Sequence, residues 1–290
     1  MNLPAPDGRL AGWVRFGLVE MARNVLPPDE PEVLRALAAG LWRLERAGRP
    51  ERHLALVAAA RSGLGVSSRT AEALAREAQD VDLQRRMEEL ILGRMEPWWH
   101  ERYLVVEGVP AGDTPVLFLG LGAPHPLAAV LALAAARPGL CALHPALPPG
   151  GARADRLLAS RFNLMRERVP ALWSSRVEDG AAALREGRSV HAALRRDLAG
   201  GPAGDPLRAI EEGTVLGVPW ATLTQSARAA GAEVRTVEVN RERDKRWCVR
   251  VGSPVSDGEL PRRLADHLRR WPGQTLPWLT PRVDGGHAPH

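Results

Sequence analysis

The chain is 290 residues long, 45% hydrophobic and 25% charged, values that exclude disordered and fibrous classes and leave room for one large domain or a helical cap on an α/β body. Its formal charge is +5, and arginine supplies all of the 39 basic residues except Lys245. Charge alone admits an anionic lipid surface, but no recognisable nucleic-acid module accompanies it, so no nucleic-acid partner is expected.

Taken in order, the amino terminus has no basic leader followed by a continuous apolar core, which predicts no cleaved signal peptide. Leu10, Trp13, Val14, Gly17, Leu18 and Met21 recur at helical spacing, an amphipathic helix that covers the core or lies on a membrane surface. Pro27 and Pro28 end it. Asp29 as N-cap with Glu32 three residues on opens a second helix, striped by Leu34, Leu37, Ala38, Leu41 and Leu44. Leu54 to Arg61 read as a short helix stopped by Gly63 and Gly65. Ser67 and Ser68 open a further helical region running to Met95, with Leu83, Met87, Leu90 and Ile91 as its stripe. Residues 1–100 are therefore expected to be helical.

At Tyr103 the pattern changes. YLVVEG and PVLFLG read as consecutive strands around a turn from Pro110 to Asp113, and the apolar run then crosses Gly120-Leu-Gly-Ala-Pro-His125 into a helix from Leu127 to Ala136. The run approaches membrane-spanning length, yet Gly120, Gly122, Pro124 and Pro126 interrupt it where a spanning helix would have to continue. Residues 140–145 read as a strand, Arg153 to Arg168 as a helix, Ala181 to Glu186 as a short helix ending at Gly187, and Ser189 to Leu194 as a strand. Loop composition follows at 197–206. After it come a helix from Ala221 to Ala230, a strand pair in GAEVRTVEVN and KRWCVRVGSP, and a last helix from Leu260 to Arg270 before WPGQTLPWLTPR. This alternation predicts an α/β fold with a mainly parallel sheet flanked by helices over 101–283, and a loose tail at 284–290. Cys141 and Cys248 are too few for a disulfide framework and read as buried free thiols in strands.

The chemistry belongs in the turn after PVLFLG, because ligands of α/β sheets settle at the carboxyl ends of strands. His125 is its only titratable side chain. Gly120-x-Gly122 lacks the third glycine of a dinucleotide loop, Cys141 and His144 lack a second ligand pair for zinc, and there is no G-x-S-x-G nucleophile elbow. No cofactor and no metal are expected.

The order of pieces resembles the bacterial lipid A biosynthesis acyltransferases, the lauroyl and myristoyl transferases, with the related phosphatidylinositol mannoside acyltransferases. The resemblance spans roughly residues 10 to 283. It is carried by the basic stretch near Arg49 to Arg61, the VEG strand, the apolar strand running into its turn and the arginines Arg161, Arg166 and Arg168. LREGR at 184–188, GVPW at 217–220 and the Pro272-x-Gln274 stretch complete it. It implies an O-acyltransferase body taking an acyl group from acyl carrier protein or acyl-CoA to a lipid acceptor, peripheral to the cytoplasmic face of the bacterial inner membrane or, alternatively, cytoplasmic. It also implies substrate contacts at Gly122, Arg161, Arg166 and Asp197.

The departure is as informative. The family's strand ends in His, with Glu or Asp five positions on, and that pair deprotonates the acceptor hydroxyl. Here Gly120 stands where the His belongs and His125 where the acid belongs. Taking His125 as the base leaves Val130 five positions on, with no carboxylate. The family's later aspartate falls near Arg195, with Asp197 nearby. The preferred expectation is a degenerate member, an acyl-chain or lipid-binding accessory protein with a possible partner acyltransferase. The alternative is an active acyltransferase working through a rearranged site with His125, or with His144 brought across from the next strand. Trp98 and Trp99 are candidates for a lipid interface or for core packing.

Overall fold

The computed structural model describes residues 50–91, 104–121, 125–143, 169–193, 218–242 and 246–279. Two helices come first, α1 (Pro50–Leu64) and α2 (Ser68–Ile91). Gly65, at φ +64°, breaks the chain between them, and the Ser67 hydroxyl accepts the Thr70 N–H at 3.3 Å as the cap of α2. The buried His53 ring joins the pair: Nδ1 lies 3.0 Å from the Gln79 amide oxygen and Nε2 2.9 Å from a Glu72 carboxylate oxygen, both on α2.

The rest alternates strand and helix: β1 (Leu104–Glu107), β2 (Val116–Gly120), α3 (Pro126–Ala136), β3 (Cys141–Leu143), β4 (Leu172–Ser174), α4 (Val177–Arg185), β5 (Val190–Ala193), α5 (Val218–Ala229), β6 (Glu233–Arg241), β7 (Trp247–Pro254), α6 (Leu260–Arg270) and α7 (Pro272–Leu279). The strands form one sheet in the order β1-β7-β6-β2-β5-β3-β4. All neighbours pair in parallel except β6 with β7. Five strands therefore run one way and β7 and β1 the other, the mainly parallel α/β sheet that the alternation predicts.

Strand alternation splits the core. Leu117, Leu119, Val190, Ala192 and Val234 face a layer built from α1, α2, α4, α5, α6 and α7. Val116, Phe118, Ala142, Val237, Val239, Trp247 and Val249 face the other way, where α3 covers them with Leu127, Val130 and Leu133. Because β2 is buried on both sides it reads as a continuous apolar run rather than an alternation. Cys141 and Cys248 are buried free thiols, as expected, and burial pushes the Cys248 thiol up to about 11.

The segments flanking the Pro110–Asp113 turn are consecutive strands, as expected, with β7 and β6 between them in the sheet. Arg137, at the end of α3, holds that turn by donating from its guanidinium to the carbonyls of Pro110 (2.7 Å), Thr114 (3.3 Å) and Gly112. Leu260–Arg270 is not the last helix, because Pro272 sits in the first turn of α7, where its missing N–H costs no hydrogen bond. The expected helices over residues 10–44 and 153–168, the loop at 197–206 and the tail at 284–290 lie outside the described residues, as do Trp98 and Trp99.

Candidate functional site

The carboxyl ends of the parallel strands lie at one end of the sheet, and the amino ends of β7 and β1 join them there. Gly120 closes β2, Arg241 closes β6, and Trp247 opens β7 opposite Arg241. This is the end where an α/β sheet takes ligands, and the strand-to-helix turn after Gly120 delivers His125 to it as the residue before α3. His125 has φ −136° and ψ 78°, makes no side-chain cap bond, and its carbonyl accepts the Ala128 N–H at 3.1 Å. The helix is opened by its backbone and by Pro126, and the imidazole is turned into the interior.

There the ring is 0% exposed and stands edge-on to the Trp247 indole, 4.9 Å between centroids and 88° between planes. The Arg241 guanidinium lies 5.3 Å over the same indole. Burial, and then the positive charges of Arg85 and Arg241, hold the His125 pKa well below the ordinary imidazole range. Among the described residues the charges that act on it are the guanidiniums of Arg85 and Arg241. Arg85 is itself engaged by Asp82 at 2.6 Å.

A second histidine faces the same side. His191 on β5 is level with Phe118 in the parallel register, so it shares the α3 face with Phe118 and Gly120. It is 1% exposed. A Cβ at Gly120 would stand 3.3 Å from His191 Nε2 and 3.5 Å from the Ala193 Cα. The absent side chain at 120 is therefore the space into which a neighbouring imidazole leans. Sequence reading passes over His191, because a lone histidine in an apolar strand gives no local sign of which strand lies beside it.

The last turn of β6 is pinned from below. The Gln274 amide oxygen accepts the Arg241 N–H at 2.7 Å, and its nitrogen donates to the Arg241 carbonyl at 2.9 Å, so one side chain copies a strand partner. Partial desolvation pushes the Glu77 carboxyl of α2 up, against the lowering influence of the nearby Gln274 amide. Gln274, singled out in the sequence, thus positions the strand end that carries Arg241.

On the opposite face, His267 of α6 is buried with Nδ1 3.4 Å from a Glu238 carboxylate oxygen of β6. The nearby His267 imidazole is the main cause holding the Glu238 carboxyl below its usual range, against its own desolvation. Glu238 is level with Arg250 of β7, and that guanidinium bonds Glu107 at 2.8 Å and Glu242 at 2.5 Å. This imidazole–carboxylate pair lies across the sheet from His125 and joins α6 to the sheet.

Of the residues singled out for the site, His125 and Gly120 are placed as above. Gly122, Arg161, Arg166 and Asp197 lie outside the described residues, as do His144, Arg168 and Arg195. Among the described residues no three His, Cys, Asp or Glu side chains converge as a metal site requires, and no helix is long and apolar enough to cross a membrane. No protein-family model matches the chain, and no curated protein matches it.

Proposed function

We propose that the protein is an acyl-chain or lipid-binding accessory protein, built on an acyltransferase-like α/β body that has lost its proton-transfer pair. The observation that carries this reading is the seat of His125. The one titratable side chain of the strand-to-helix turn is fully buried and stands edge-on to Trp247, and burial holds its pKa well below the ordinary imidazole range. General base catalysis supplies about 10²- to 10⁴-fold in rate and needs the imidazole within hydrogen-bond reach of the hydroxyl it deprotonates. A ring with 0% exposure is out of reach of an acceptor as seated, and Gly120 offers no side chain in its place.

The body is proposed to sit peripherally at the cytoplasmic face of a bacterial inner membrane, with a partner acyltransferase supplying the reaction. A second reading keeps activity, with acyl carrier protein or acyl-CoA as donor, a lipid hydroxyl as acceptor and His125 as base. It is favoured by one feature: a ring held neutral keeps a nitrogen lone pair for the acceptor's proton. Incubating pure protein with acyl-CoA or acyl carrier protein thioesters and lipid acceptors separates the two. The binding reading expects saturable acyl-chain binding with no transferred acyl group, in wild type and in His125→Ala alike. Transfer by the wild type that disappears in His125→Ala establishes the second reading and ends the first.

A further inference from the structure

We draw no further inference here: the strongest candidate, the buried side-chain cluster of His191 against Gly120 at the carboxyl ends of β5 and β2, belongs to the site already described.

Discussion

His125 and His267 are buried imidazoles on opposite faces of one sheet, and their surroundings are opposite in sign. His267 has the Glu238 carboxylate at 3.4 Å, within a chain of charges that continues through Arg250 to Glu107 and Glu242. Among the described residues, His125 meets the indole edge of Trp247 and the positive charges of Arg85 and Arg241. A histidine beside a carboxylate can be charged or can share a proton, whereas one between arginines is driven neutral. Among the described residues, the imidazole with a carboxylate close by joins a helix to the sheet, and the buried imidazole of the strand-to-helix turn stands against an indole and near two arginines.

Four changes sharpen or break this contrast. The largest effect is expected from Trp247→Ala, which removes the indole that seals His125 and leaves a cavity between β7 and α3. Denaturant unfolding should show a loss of about 3–5 kcal/mol, and a loss under about 1 kcal/mol would mean that the α3 face is not packed as described. Next is Gly120→Val, whose side chain must push into His191. Overpacking of this kind costs about 1–3 kcal/mol, and a neutral outcome would show that the imidazole is not held against the strand end.

The two histidine environments also predict separate pH windows. His125 has a folded pKa below its unfolded value of about 6.5. The unfolded chain therefore binds the extra proton, and stability is complete above that pH and falls below it, by up to about 1.4 kcal/mol per pH unit. Glu238 is also lowered, so its contribution is complete above the ordinary carboxylate range near 4.3 and is lost as pH drops through it. His125→Leu should flatten the slope between about pH 6.5 and 5 and leave the acid limb in place. An unchanged slope contradicts the assignment to His125. The smallest effect is expected from Glu238→Gln, about 1 kcal/mol by thermal unfolding, because the partner is retained and only its charge is removed.

Much of the fold was legible because its signals are local. The apolar run ending at Gly120, the alternation of β6 and β7, and the stripe of α6 mark their own elements, and the last of these begins and ends where the pattern does. The three-residue β4 has too few positions to show a period, and α7 was hidden by its own prolines. Strand order was not legible. YLVVEG and PVLFLG are close in sequence, yet burial of the apolar β7 places two strands between them. The same limit applies to the site. His125 and Gly120 stand out in their turn, but Trp247, Arg241, Arg85 and His191 reach them only through the sheet register and helix packing.

The most direct test of the central claim is the protonation of His125 itself, followed in the folded protein by ¹H–¹⁵N NMR of the imidazole nitrogens, with His125→Leu used to assign the signal. The account predicts a ring that stays neutral as pH is lowered through the usual histidine range and beyond, until the protein unfolds. A reversible titration at or above about pH 6.5 in the native state would mean that the ring meets water or a carboxylate, and would contradict the reading of this turn as a place of packing rather than proton transfer.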